Sequence, residues 1–228
     1  MPSIYLSHVL TEDTPLYGAS GEVKIQRSRC IDAGDTSNNS NLALPAHAGT
    51  HIDAPFHFDH SGRTLDSYSA DFWYTQKIKL LEISVSKAQL VDLSVLGDKI
   101  NEIPKDCECL LLKSGFEVQR QDNPQDYMTA GPGIGADLAQ WLRENRQLRF
   151  VGMDFVSTSS FQHREIGRET HRIFLKEDYA DSPPILLIED MALQAIDKSP
   201  ASIHIVPIRF ENSDGAPVTV IAELNQAN

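Results

Sequence analysis

A chain of 228 residues with 41% hydrophobic and 23% charged side chains fits one ordinary globular domain spanning 1–228. Its 32 acidic residues outnumber 20 basic ones, and the net charge of −12 argues against nucleic acid and anionic membrane surfaces as partners. A small-molecule substrate remains open. No stretch approaches the roughly eighteen apolar residues of a membrane helix, and Met1-Pro-Ser-Ile-Tyr5 lacks the basic-then-apolar order of a secretion signal. Three cysteines, Cys30, Cys107 and Cys109, make no disulfide framework, so a reducing cytoplasm is the expected location.

Taken along the chain, apolar runs alternate with helical patterns, the mark of a mixed α/β domain. Strands are predicted at Val23 to Arg27, Lys77 to Ile83, Cys109 to Lys113, Arg149 to Met153, Ile185 to Glu189, Ser202 to Phe210 and Pro217 to Ala222. The polar segment Asp35 to Asn41 is expected to be a loop, and Asn212-Ser-Asp-Gly215 a turn between the last two strands. The clearest helix runs from about Gly135 to Asn145, with Leu138, Trp141 and Leu142 on one face. Ser86 is expected to cap a helix through Leu96, Asp190 another through Ile196, and a further helix is expected over Glu165 to Lys176. Cys107-Glu-Cys109 has no second cysteine pair to complete a soft metal site and reads as the entry to a buried strand.

The densest chemistry lies in His47-Ala-Gly-Thr-His51-Ile-Asp53-Ala-Pro-Phe-His57. Imidazole and carboxylate together are the usual ligands of zinc and other divalent first-row metals. Pro45, Gly49 and Pro55 disfavour a helix here, so the segment is expected to be extended, which points His51 and Asp53 to the same side. His57, beyond Pro55, has a residue type that shuttles protons near neutral pH. Further along, His171 shares a predicted helix face with Phe174 and Leu175, and Glu189 ends an apolar strand, where α/β proteins place ligand-binding groups. His60 is expected to be solvated and His204 a satisfied core residue. His163 and Gln162 are candidates for the pocket wall, and Phe72, Trp73 and Tyr74 for either an aromatic wall or the core.

The pattern HxGTHxDxPxH resembles the signature of the cyclase family of metal-dependent hydrolases, which includes kynurenine formamidases and isatin hydrolases. Gly152-Met-Asp-Phe-Val-Ser157, Leu110-Leu-Leu-Lys-Ser-Gly115 and Pro207-Ile-Arg followed by Asp214-Gly-Ala-Pro217 are similar to later elements of that family. The resemblance implies a single cyclase-type β/β/α domain with a mixed sheet. It implies one or two divalent metal ions per chain, Zn2+ or Mn2+, with His47, His51 and Asp53 on the first and His171 and Glu189 as distal ligands. Glu177 and Asp178 rival Glu189. His57 takes the acid/base role. Leu16-Tyr-Gly18-Ala-Ser stands where formamidases carry a tryptophan and further proline.

The resemblance further implies a homodimer or homotetramer whose neighbouring chains help close the site. The expected activity is hydrolysis of a C–N bond in a small metabolite: first N-formylkynurenine in tryptophan catabolism, then a cyclic amide such as isatin. A bound divalent metal lowers the pKa of water from about 16 to about 7 and polarises a carbonyl, which is the logic of such a hydrolase. A metal-dependent cyclase or lyase on the same scaffold, and a metal-stabilised interaction protein without turnover, are the readings from other classes.

Overall fold

The computed structural model of the protein describes residues 2–179 and 181–225. Among them the chain forms β1 (Ser3–Tyr5), β2 (Lys24–Arg29), β3 (Asn39–Ala43), β4 (His51–Asp53), β5 (Tyr74–Thr75), β6 (Ile78–Glu82), β7 (Leu90–Val91) and α1 (Leu93–Leu96). It continues through β8 (Cys109–Lys113), α2 (Val118–Asp122), α3 (Pro124–Thr129), β9 (Gly133–Ile134), α4 (Ala136–Asn145) and β10 (Phe150–Met153). It closes with α5 (Arg164–Leu175), β11 (Leu186–Glu189), β12 (Ser202–Pro207) and β13 (Gly215–Glu223). No helix among the described residues is long and apolar enough to cross a membrane.

Nine strands make one mixed sheet in the order β5-β12-β13-β4-β11-β10-β8-β6, with β1 also on β13. The β6, β8, β10 and β11 strands run parallel, and the other pairings are antiparallel. The inner strands β8, β10 and β11 read as nearly unbroken apolar runs because both of their faces are buried, whereas the edge strand β6 carries Lys79 and Glu82. Leu110, Leu112, Val151, Met153 and Leu187 face the helices, packing with Leu138 and Leu142 of α4 and Ile173 and Phe174 of α5. Cys109, Leu111, Phe150, Leu186 and Ile188 point the other way, onto Ile203, Ile205, Val218 and Val220 of β12 and β13. The sheet therefore curls until its antiparallel half covers one face of the parallel half, while helices cover the other. This is the β/β/α arrangement the sequence led us to expect.

Several local expectations are corrected. The helix expected from Ser86 shrinks to α1, capped by Asp92, whose carboxylate accepts from the Val95 amide at 3.0 Å. Residues upstream are taken by β7, which pairs with β9, and a helix of so few residues has little stability of its own to oppose that ladder. No helix follows Asp190. Its carboxylate is instead engaged sideways by Arg120 Nε at 2.9 Å and by the Tyr127 hydroxyl at 2.6 Å, and its backbone is left-handed at φ 53°. Part of the expected loop at 35–41 becomes β3, which pairs with β2 in a two-stranded ribbon whose residues are mostly exposed. The strand β12 stops at Pro207 rather than Phe210, and its His204 is exposed against Tyr74, not core. Phe72 and Trp73 pack with Tyr68 and Phe150 beneath the sheet, so they are core rather than an aromatic wall.

A buried arginine ties the helical layer together. Arg143 of α4 is 1% exposed and donates to the carbonyls of Ile173 (2.5 Å), Phe174 (2.9 Å), Lys176 (2.7 Å) and Ser182 (2.9 Å). These include carbonyls at the end of α5 that have no partner within the helix, so the guanidinium acts as its C-terminal cap. Arg143→Met keeps the volume but strands the Ile173, Lys176 and Ser182 carbonyls at a cost of about 3 kcal/mol, while Phe174 keeps the Ile185 amide. The melting temperature, read by circular dichroism, is expected to fall by about 6–12 °C.

Candidate metal centre

The strand β4 places the site. Its register pairs His51 with Glu189 and Asp53 with Leu187 of β11, so His51, Asp53 and Glu189 emerge on the face towards α5. Ile52 and Ile188, one residue off in each strand, go to the opposite core. Helix α5 then brings His171. It can sit this close because Gly167 has no side chain: a Cβ there would overlap Ser159. His47 arrives from the preceding turn against Gly215, where a Cβ would overlap its imidazole.

These side chains converge. His51 Nε2 lies 3.5 Å from Asp53 Oδ1 and 3.3 Å from Glu189 Oε2. His171 Nε2 lies 3.5 Å from both Asp53 Oδ2 and Glu189 Oε1. His47 Nδ1 is 2.8 Å from Asp53 Oδ1, and its Nε2 is 3.0 Å from Asp214 Oδ2. His57 Nδ1 is 3.5 Å from the same Asp214 oxygen, and its ring lies 4.1 Å from that of His47. Two sets of three donor atoms fall within 4.8 Å of one another, His47–Asp53–His57 and His51–Asp53–Glu189, and they share Asp53. His51 thus stands as near Glu189 as Asp53, which joins the two ligand groups the sequence suggested into one cluster.

The donors suit a divalent cation. His51 Nδ1–H donates to the Gly49 carbonyl at 2.8 Å, and His171 Nδ1–H donates to the Gly167 carbonyl at 2.7 Å. A carbonyl can only accept, so in the neutral rings each Nε2 lone pair is turned inward. These Nε2 atoms stand 3.3–3.5 Å from carboxylate oxygens, close enough for the donors to share a cation, with the two imidazoles facing different oxygens of each carboxylate. Ser157 Oγ (3.3 Å) and the Thr158 amide (2.5 Å) hold Glu189 Oε1 in place.

The electrostatics carry the same message. Asp53 and Glu189 are 1% and 3% exposed. Burial pushes both carboxyls up, yet His47 and His171 hold Asp53 well below its ordinary value, and His171 and His51 hold Glu189 below its own. Reciprocally, burial disfavours the charged rings, but Asp53 and Asp214 raise His47 to about 10, and Asp53 and Glu189 raise His171 to about 10. The cluster draws positive charge into the interior. His57 differs: burial lowers its pKa, so the ring is neutral near pH 7.

The expected metal ligands His47, His51, Asp53, His171 and Glu189 and the expected acid/base residue His57 all line one cavity of about 540 Å³. The rival carboxylates lie elsewhere, Glu177 on Arg63 and Asp178 on Lys176. Gln162 hydrogen-bonds the Thr129 carbonyl, and neither it nor His163 lines the cavity. Cys107 and Cys109 are buried away from the site, and burial raises both thiols. The Leu16-Tyr-Gly18 segment, singled out by the family resemblance, does line the cavity through Tyr17, whereas sequence reasoning missed Asp214, read only as a turn residue, and the wall residues Phe161, Arg164 and Arg168. No local spacing marks these residues, because they reach the site through the fold.

The family model described as "Putative cyclase" matches residues 4–160. The chain belongs to the cyclase family. It is 28% identical over 228 residues to "Cyclase-like protein 3" of Oryza sativa subsp. japonica, covering 95% of this chain and 77% of that protein. It is 25% identical over 222 residues to a kynurenine formamidase of Bacillus cereus, covering 96% and 95%. Among solved structures, isatin hydrolase A of Labrenzia aggregata shares its fold with a TM-score of 0.80 at 20% identity, covering 99% and 94%. The matched segment ends before His171 and Glu189, which the fold brings against His51 and Asp53.

Two outcomes test the centre. Stripping divalent metal with a chelator removes a ligand bound by the folded state alone, worth about 2.7 kcal/mol at a hundredfold excess over Kd. The melting temperature should then fall by roughly 5–11 °C and recover on adding zinc or manganese. Gly215→Ala, which pushes His47 aside, should weaken metal affinity by roughly 10- to 100-fold in competition with a chromophoric chelator.

Proposed function

We propose that the protein is a metal-dependent hydrolase of small aryl amides, with N-formylkynurenine as first substrate candidate. One observation carries the reading: four imidazoles and two buried carboxylates, drawn from separate parts of the chain, meet at the floor of a single cavity open to solvent. A purely structural metal site is closed, whereas this one has room beside it for a substrate. The names of the Bacillus formamidase and the Labrenzia isatin hydrolase support a C–N hydrolase.

His47, His51, Asp53, His171 and Glu189 would hold zinc or manganese, with Asp53 facing three imidazoles and Glu189 two. Such an ion supplies Lewis acidity, polarising an amide carbonyl and easing the ionisation of water near neutral pH. The chain's own residues do the rest. His57, neutral and braced by Asp214, takes a proton from the attacking water and returns it to the leaving nitrogen. The C–N bond breaks and a C–O bond forms, which leaves a carboxylate and an amine. Phe58 stacks on His171 at 4.6 Å and keeps water off that side of the cluster.

A cyclic amide of the isatin type is the second reading, supported by the fold match. We further propose a homodimer or homotetramer. Tyr5, Val9, Val206 and Ile208 are exposed apolar side chains around one groove, and the β2–β3 ribbon stands largely in solvent, features a second copy would cover.

The test is turnover of N-formylkynurenine and of isatin by metal-reconstituted protein, with His57→Ala beside it. The variant is expected to retain its metal content and to lose roughly 10²- to 10⁴-fold in kcat. Full activity in His57→Ala would remove the acid/base assignment. Loss of metal along with activity would make His57 a ligand instead.

A further inference from the structure

The floor of the cavity is explained by the metal cluster, but its rim is not. Arg164 and Arg168 line the same cavity as His171 and Glu189 and are the only permanently charged cations among its lining residues. They stand one helical turn apart at the start of α5, on the face that leads down to His171. In a chain with 32 acids to 20 bases, acidic partners are plentiful, yet no described carboxylate forms an ion pair with Arg164. Its guanidinium carbon instead lies over Phe161, 3.7 Å from the ring centroid, and Phe161 in turn meets Tyr17 edge to face at 5.6 Å. Arg168 pairs only with Glu165 of its own helix, an exposed partner that a better-placed carboxylate can replace.

Neutral amide hydrolysis needs no guanidinium at this position. A planar guanidinium braced on an aromatic ring is prearranged to bind a carboxylate through two parallel hydrogen bonds. The rings of Phe161 and Tyr17, both on the cavity wall, offer apolar surface that suits an aryl group. We propose that Arg164 and Arg168 are specificity-determining residues which select aryl amides bearing a carboxylate, holding that group at the rim while the amide lies over the metal cluster. The inference rests on the hydrolase reading for its reaction, but it concerns binding and can be tested apart from it. Contact with a remote carboxylate is made equally in ground and transition states, so its loss raises KM more than it lowers kcat.

The experiment compares N-formylanthranilate with formanilide, the same amide with and without the carboxylate, on the metal-loaded parent, on Arg164→Gln/Arg168→Gln and on Arg164→Lys/Arg168→Lys. Both arginines are exposed, so folding is expected to persist, and melting curves check it. The anionic-to-neutral ratio of kcat/KM should fall roughly 10- to 100-fold in the glutamine variant, mainly through KM, with partial recovery in the lysine variant. An unchanged ratio overturns the proposal. If the parent consumes neither compound, the fluorescence of bound anthranilate decides the rim, and the hydrolase reading fails only if N-formylkynurenine and isatin are also left intact. Saturable binding that weakens in the glutamine variant supports the proposal, and equal binding by parent and variant overturns it.

Discussion

Two carboxylates shut away from water beside one another set the terms for the rest of this structure. Removing Asp53 and Glu189 from solvent is costly for each alone, and their mutual repulsion adds to the cost. The interior must supply compensating positive charge, and it does so with imidazoles on three sides: His47 from a turn, His51 from β4 and His171 from α5. Two of those rings are fixed by backbone carbonyls so that a single nitrogen faces the carboxylates. A divalent cation satisfies all of these groups at once, whereas protonated rings do so at the cost of burying two cationic side chains.

That requirement is met by the register of one short strand. Because side chains alternate along a strand, a slip of one residue in β4 would send His51 and Asp53 into the packing of Ile188 and Ala216 and bring Ile52 to the metal. The register is held from behind by polar contacts that never reach the cavity. The Thr50 hydroxyl donates to the Asp190 carbonyl at 2.5 Å and accepts from the His8 amide at 2.9 Å. Arg120 and Tyr127 clamp the Asp190 carboxylate, and so the end of β11 next to Glu189. Residues with no part in the chemistry thereby determine where it occurs.

This division explains what could be read in the sequence. The apolar parallel strands, α4, α5 and the His47–His57 motif were legible because each is dictated by short-range pattern: unbroken hydrophobic runs, helical periodicity, or ligand residues close together. Placing His171 and Glu189 needed the family resemblance, since a lone histidine on a helix and a carboxylate ending a strand are common. Asp190 looks like a cap because an acidic residue stands before Met191-Ala-Leu-Gln-Ala-Ile196, a run of mostly good helix formers, and nothing local reveals an arginine 70 positions away. The ribbon of β2 and β3 was half seen because its strands bury little and so show little alternation. Asp214 reaches the cluster only through His47 and His57, more than 150 positions away, and nothing in the local pattern marks Arg164 as a cavity residue.

The rim and the floor of the cavity present opposite electrostatic problems. A protein of net charge −12 repels an anionic substrate at long range, and the carboxylates at the floor oppose it at short range. Screening by physiological salt removes most of the first effect beyond about 8 Å, which leaves the local arrangement to decide. Within the cavity, a cation among Asp53, Glu189 and the histidines neutralises the floor, and Arg164 and Arg168 make the rim positive. The ion that activates the amide therefore also makes the cavity habitable for a carboxylate. Catalysis and selectivity share one charge balance, even though the residues responsible lie at opposite ends of the same pocket.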